Sequence, residues 1–435
     1  MRQSDLHYIY LDGCNGGMRA DRRLGAALWC AGLAAFSVLY APQGLLTEIA
    51  RDADVDPSRA SLVVSAATLG LGVSVLPWAW LSDRIGIRRA MRIAAAGAAI
   101  CAVSVPWLPS YTALVGGRFL QGIALGGIPA LAMALLHNTA TAKHATAMAG
   151  SFVAATSLGG LGGRLLVVPI ADHVGWRVGL FAIGCLVAAL MAMLIGLLPR
   201  PEAATHPRRS DASALTHLRN PAMMALFGIG ALLIGGMIAV FNYLPFRLEQ
   251  PPYLLTPDLV SLVFLAYLAG TAGSRSAGWL TERVGQRPIL AMACLLMAAG
   301  GAITLAQPLY LVIAGVVVLT AGMFIGHAVA SSMVAARAPS GRAQAAALYN
   351  ISYYTGSSAF GWLAGFAWQH AHWPLVAALV VTLGMTACAL AVVVRQPSDA
   401  TAKACAGQSM TASRACSSSA SGTSSTSTTT MPSSS

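Results

Sequence analysis

Two stretches decide the fold: WLSDRIGIRR, residues 80–89, and WLTERVGQRP, residues 279–288. Each runs tryptophan, leucine, a hydroxyl residue, an acid, arginine, a β-branched residue, glycine, one free position and arginine. The two acids, Asp83 and Glu282, stand 199 positions apart in a chain of 435 residues. A charged phrase repeated at that interval implies a duplicated architecture, and its surroundings say of which kind.

Those surroundings are apolar. The chain is 56% hydrophobic and 10% charged, with a mean hydropathy of +0.67, whereas a soluble domain carries about 25% charged residues. Stretches long enough to cross a hydrocarbon core of about 30 Å recur with polar breaks between them. Twelve are expected, over 25–49, 60–82, 89–108, 111–136, 145–171, 175–199, 221–246, 259–280, 288–306, 308–336, 343–367 and 373–395. The phrase follows span two in one half and span eight in the other.

The formal net charge of +12 is a topology signal, because the basic residues segregate. With the N-terminus inside, one set of loops collects Arg84, Arg88, Arg89, Arg92, Lys143, Arg200, Arg208, Arg209, Arg219, Arg283, Arg287, Arg337 and Arg342. The other side has Arg51, Arg59, Arg177 and Arg247, with Glu48, Asp52, Asp54 and Asp56 nearby. The excess of Lys and Arg on cytoplasmic loops then places both termini in the cytoplasm, and argues against a nucleic-acid partner. The eight cysteines are scattered, without C-x-x-C spacing, and suggest neither a disulfide framework nor a metal site.

A second echo supports duplication. HVGW from His173 and HAHW from His370 both precede the last span of their half, and each follows a glycine-rich span, with SLGGLGG from Ser157 and TGSSAFGWLAG from Thr355. Repeats of this kind belong to transporter folds, in which two related bundles enclose a site near the midplane. The expected organisation is a cytoplasmic segment 1–24, a six-helix bundle 25–199, a cytoplasmic inter-bundle segment 200–220, a second six-helix bundle 221–395 and a Ser/Thr-rich tail 396–435 too polar to fold. The first residues lack the apolar run of a signal peptide, and Met18 would also serve as a start.

The phrase has a physical role at a membrane edge. Asp83 ends one helix, Gly86 permits a tight turn, and Arg88 and Arg89 begin the return. An acid held against arginines, or against the positive end of a neighbouring helix, is a clasp whose making and breaking biases two conformations. Its expected members are Asp83, Arg84, Gly86, Arg88 and Arg89 in the first copy and Gly278, Glu282, Arg283, Gly285 and Arg287 in the second.

On these residues the chain resembles the major facilitator superfamily, whose signature between spans two and three is Gly-x-Leu-Ala/Ser-Asp-Arg-x-Gly-Arg-Arg/Lys. The first copy has Ala79 for the leading Gly and Ile87 for Arg; the second keeps Gly278 but has Glu282 for Asp and Gln286 for Arg. Span four carries RFLQG, with Arg118, Gln121 and Gly122, similar to the family's span-four motif, whose Arg is associated with proton coupling or substrate charge. Span five, GSFVAATSLGGLGGRLLVVP, resembles the glycine-rich motif of drug:proton antiporters without its Gly-Pro pair. There Gly159 and Gly163 form a small-x-x-x-small face that permits close helix contact, Gly160 and Gly162 are further packing candidates, and Arg164 follows. Across residues 24–395, stretches such as FSVLYAPQGLL, NYLPFRLEQPPYLLT and LYNISYYTGSSAFG resemble the YnfM-type branch, also called acriflavine-sensitivity or sugar-efflux-like. The resemblance implies an all-α integral membrane protein of twelve transmembrane helices in two pseudo-symmetric six-helix bundles. It also implies a monomer that works without a cofactor, driven by a proton gradient.

Candidate cavity residues are Tyr40 and Gln43 on span one, Asn242 and Tyr243 on span seven, His327 on span ten, and Asn350, Tyr353 and Tyr354 on span eleven. An imidazole titrates near neutral pH, which marks His327 as a proton or substrate ligand. No Asp or Glu sits centrally in a span, while Arg118, Arg164 and His327 are available within spans, so a neutral or anionic small molecule is expected in preference to a cation. Asp83, Glu48, His327 and the substrate itself are the proton carriers on offer. No G-x-x-x-x-G-K-[ST] phosphate loop is present, and no nucleophile, base or metal constellation suggests an enzyme. The branch resemblance and the span-five glycines favour proton-coupled export. Uptake by symport or uniport is the alternative, and a membrane sensor, for which no signalling domain is visible, is the rival outside transport.

Overall fold

The computed structural model describes the backbone of residues 3–139, 142–198, 214–338 and 340–394, and the side chains of 22–136, 148–198, 216–338 and 340–394. The expected tail, most of the inter-bundle segment, and Lys143, Arg200, Arg208 and Arg209 lie outside the described side chains. Among the described residues all regular structure is helical.

The twelve expected spans correspond to α1 (Gln3–Tyr40), α2 (Pro57–Ile85), α3 (Ile87–Ser104), α4 (Tyr111–Thr139), α5 (Ala142–Val174), α6 (Trp176–Leu197), α7 (Pro221–Leu248), α8 (Ala266–Val284), α9 (Gln286–Ile303), α10 (Leu309–Arg337) and one run, Arg342–Val393, that holds the last two. That run breaks at Ala371 and His372, whose backbone is not helical, which separates α11 (342–370) from α12 (373–393). Span one continues past Tyr40 through a 3-10 turn, Ala41–Leu45, and a short helix, Leu46–Asp52; α8 is preceded by Pro257–Ser261 and Leu262–Leu265. Eleven of these runs are long and apolar enough to cross a membrane, and the break makes the crossings twelve.

Local chemistry sets the ends. The Asp56 carboxylate accepts from the Arg59 amide at 2.9 Å ahead of Pro57, and the Asn220 side chain accepts from the amides of Ala222 and Met223 ahead of Pro221. Side-chain caps of this kind satisfy first-turn amides, and proline suits the first helical position. At the repeated phrase, α2 ends on Gly86 at φ 88° and α8 on Gly285 at φ 96°, a backbone region that glycine adopts without the steric cost a Cβ brings.

Each half packs by the same rule. In the first, α1 lies on α5, α2 on α4, and α3 on α4 and α6; in the second, α7 lies on α11, α8 on α10, and α9 on α10 and α12. Small residues set the closest approaches. A Cβ at Gly159 would lie 2.3 Å from the Leu33 carbonyl oxygen and one at Gly163 2.4 Å from that of Ser37, so α5 touches the α1 backbone one helical turn apart. A Cβ at Gly122 would meet the Ala67 carbonyl oxygen at 2.0 Å, which sets α4 on α2. Gly160 and Gly162 point away from that seam: nothing lies within 4 Å of a Cβ at Gly162, and Gly160 faces Arg164. The close approach is thus made by Gly159 and Gly163, and of the further packing candidates Gly162 takes no part in it.

Candidate transport site and gates

The chain has a basic face, where α2 meets α3 and α8 meets α9, and an opposite face formed by the ends of α1, α2, α7 and α8. At the opposite face the two halves are joined. Gln43 Nε2 donates to Asn242 Oδ1 at 2.6 Å, the Thr47 hydroxyl donates to Glu249 at 2.7 Å, Arg51 pairs with the other Glu249 oxygen at 2.9 Å, and Arg164 Nη2 donates to the Tyr267 hydroxyl at 2.9 Å. On α2 and α11 the contact is steric: a Cβ at Gly365 would strike Ser58, and one at Gly361 would crowd Asn242 and Ser65. We call this the sealed face.

The basic face differs from expectation. Asp83, Arg84, Glu282 and Arg283 are exposed, and no ion pair among the described residues involves Asp83 or Glu282. Arg84 instead covers the Trp80 ring at 3.9 Å and Arg283 the Trp279 ring at 4.0 Å, so the second arginine-tryptophan pair repeats the first. Among the described residues, then, neither acid of the expected clasp is held by an ion pair in this conformation. The closed lock is at the other end of the molecule, and its acid is Glu249. That carboxylate is 15% exposed against 66% for Arg51, so the pair itself is worth about 0–1 kcal/mol. Burial raises the Glu249 carboxyl above the usual range, opposed by the Thr47 hydrogen bond and the nearby Arg51. An open depression lined by Thr47, Arg51, Asp54, Phe246, Glu249 and Gln250 lies over it.

The two in-span arginines have different surroundings. Arg118 is 2% exposed and stays within the first half. Its Nε donates to the Val63 carbonyl at 2.9 Å, Nη1 to that of Val38 at 3.0 Å and to Gln121 Oε1, and Nη2 to the Leu39 carbonyl at 2.6 Å. It ties α1, α2 and α4 together by main-chain oxygens. Arg164 is fully buried and reaches across the halves. Nε donates to Gln43 Oε1 at 2.7 Å, Nη1 to the Gly160 carbonyl at 2.6 Å and Nη2 to Tyr267, while the rings of Tyr40, Tyr267 and Phe264 lie 4.3, 4.6 and 5.2 Å from its guanidinium carbon.

Of the expected cavity residues, Tyr40, Gln43, Arg164 and Asn242 come together at this seam. His327 forms a second cluster in the other half: Nδ1 lies 3.0 Å from the Tyr349 hydroxyl, and its ring stands 4.6 Å from Tyr353, which meets Tyr354 edge-on. Phe324, one turn from His327, meets Tyr267 edge-on at 5.5 Å, so an aromatic wall runs from one cluster to the other. Asn350 is exposed. Tyr243 is fully buried against Phe246 and Trp368 and is not part of either cluster. Sequence reasoning missed Tyr267, Phe264, Thr47 and Glu249, together with Arg275, an exposed cation on α8. A buried Arg164 without an acid implies neutral and aromatic partners, which is the signal that would have pointed to Tyr267.

Two bundles of like packing, one shut face and a buried polar seam between them define a membrane transporter fold. Residues 28–274 and 250–424 match the model of the Major Facilitator Superfamily, and the chain belongs to that family. Among its relatives it is 32% identical over 377 residues to the uncharacterized MFS-type transporter YybF of Bacillus subtilis (strain 168), covering 85% of this chain and 93% of that one. It is 34% identical over 366 residues to the inner membrane transport protein YnfM of Escherichia coli (strain K12), covering 83% and 88%. Solved structures of similar shape include a variant of the nucleoside transporter NupG (TM-score 0.70, 13% identity, 84% of this chain and 99% of that one). Another is a bacterial homologue of the human lysosomal transporter Spinster, in an inward-facing and occupied conformation (TM-score 0.66, 13% identity, 85% and 93%).

Proposed function

We propose that this protein exports a small organic molecule across the bacterial inner membrane by alternating access, in exchange for protons, working as a monomer. The observation that carries alternating access is the asymmetry of the bundle contacts. Among the described residues, the hydrogen-bonded bridges from Gln43, Thr47, Arg51 and Arg164 to the other half lie at one face, while the repeated acids at the other stand exposed. A molecule shut at one end and unclasped at the other is one member of a two-state pair. The positive-inside rule assigns the basic face to the cytoplasm, so this conformation faces inward with both termini on the cytoplasmic side. The name of the YnfM relative supports the inner membrane.

In this reading Asp83 and Glu282, with Arg84, Arg88, Arg89, Arg283 and Arg287, form their clasp in the outward-facing state, when the sealed face has parted. Arg118 and Gln121 hold the first bundle rigid. His327, facing Tyr353 in the aromatic wall, is the group placed to exchange a proton with a cavity ligand. The test is luminal pH in inside-out vesicles energised by respiration. Addition of substrate should drive protons out of the lumen, and His327→Asn should abolish the pH response while leaving bound substrate detectable. Compounds that cross with no pH response would establish uniport, and proton movement in the opposite sense would establish symport.

A further inference from the structure

Arg164 carries a charge that no described acid neutralises. Every described Asp and Glu lies at one membrane face or the other, and the partners of Arg164 are an amide oxygen, a main-chain oxygen, a phenol and three rings. Arg118 also lacks an acid but is ringed by carbonyl dipoles of its own bundle. An ionised group inside a span that has no opposite charge within reach marks a place where such a charge is supplied from outside.

Its partners also divide between the bundles. Tyr40, Gln43 and Gly160 belong to the half that holds Arg164; Tyr267 and Phe264 belong to the other. When the sealed face parts, the phenol and the phenyl ring leave with their bundle, and Nη2 loses its hydrogen-bond partner. A guanidinium has five N–H bonds, of which three are spent in the sealed state. Parting therefore leaves three free on the Nη1–Nη2 edge, the edge that matches a carboxylate in bidentate fashion. The neighbouring seam adds an unused donor: Asn242 Nδ2 is buried without a hydrogen-bond partner, while its oxygen is held by Gln43. From there the wall of Tyr267, Phe324, His327 and Tyr353 offers ring faces and edges, with no carboxylate among them.

We infer that Arg164 is the anion-recognition residue of the transport site, and that the substrate is an organic carboxylate or like monoanion with an aromatic or apolar body. The anion takes the place that the Tyr267 hydroxyl holds in the sealed state. One group thus reads the substrate and, when empty, locks the sealed face. This rests on alternating access between the two bundles and is independent of proton coupling.

Three probes share one ring system and differ in charge: 2-naphthoate, 2-naphthamide and (2-naphthylmethyl)trimethylammonium. Binding to the purified full-length protein in detergent, read by tryptophan fluorescence, should favour naphthoate over both others by at least about tenfold, the factor one charge-assisted hydrogen bond supplies. Arg164→Gln should bring naphthoate down to the level of the amide without weakening the amide. Arg164→Lys should keep part of the preference. Should Arg164→Gln not fold, Tyr267→Phe decides: it removes the competing hydroxyl, leaves the charge in place, and should tighten naphthoate several-fold while leaving the amide unchanged. Equal affinity for the three probes, binding of none of them, or an undiminished preference in Arg164→Gln overturns the assignment. Naphthoate binding by a protein that moves no protons in vesicles would sink the antiport reading alone.

Discussion

At the residue scale the two halves solve one problem with different side chains. HVGW turns on Gly175, at φ 85°; the equivalent position of HAHW is His372, at φ 49° and ψ −139°. That region carries a cost of about 1–3 kcal/mol for a residue with a Cβ, and the exposed His372 ring gains an edge contact with Trp368 in partial return. His372→Gly should therefore stabilise the purified protein by about 1 kcal/mol, seen as a higher thermal unfolding midpoint. Arg118→Met should do the reverse. It leaves the carbonyls of Val38, Leu39 and Val63 without their guanidinium donor in the bundle interior and should cost about 1–3 kcal/mol, the range for leaving a buried acceptor unsatisfied. Folding yield should fall with it. A well-folded Arg118→Met protein that binds but does not transport would instead return Arg118 to the coupling role that its motif implied.

At the scale of elements, helix number and the repeat were legible because each is written in composition and spacing. Twelve apolar runs and a phrase recurring after spans two and eight leave little freedom. The seam between α1 and α5 was legible in the spacing of SLGGLGG: Gly159 and Gly163, four apart, share the α1 side, while Gly162 faces open space. Alanine at either of the first two should force the backbones apart and cost about 1–3 kcal/mol. Gly162→Ala should be neutral or stabilise by up to about 1 kcal/mol, since it removes only helical glycine entropy. A thermal melt series of the three variants checks the phase directly; equal destabilisation by all three would contradict it.

At the scale of the whole molecule, the sequence shows groups but not which conformation joins them. The acids of the repeated phrase read as a clasp, and in this state the joined acid is Glu249, unremarkable in sequence because its partners Thr47 and Arg51 lie about 200 positions away. Arg164 likewise read as a charge in a span, while the Tyr267 that meets it belongs to the other half. The seal also has a pH sign. Burial raises the Glu249 carboxyl in the sealed state. Parting returns it to water, so the sealed state holds the proton more tightly. Sealing is therefore favoured as pH falls and loses that contribution as pH rises through the raised value. The attraction of Arg51 for the ionised carboxylate opposes this but is the smaller effect. Labelling of Ser58→Cys, a position that the sealed face buries, by an impermeant thiol reagent should be slower at low pH, and Glu249→Gln should remove the dependence. Faster labelling at low pH would mean that the Arg51 pair dominates.

The central claim is that the two faces open in turn, and distances between spin labels test it most directly. One pair, Asp54→Cys with Gln250→Cys, spans the sealed face; the other, Ile85→Cys with Val284→Cys, spans the basic face. Across a pH series, with and without 2-naphthoate, every condition that lengthens the first distance should shorten the second. Distances that lengthen together, or that stay fixed under conditions supporting turnover, would contradict alternating access between these bundles.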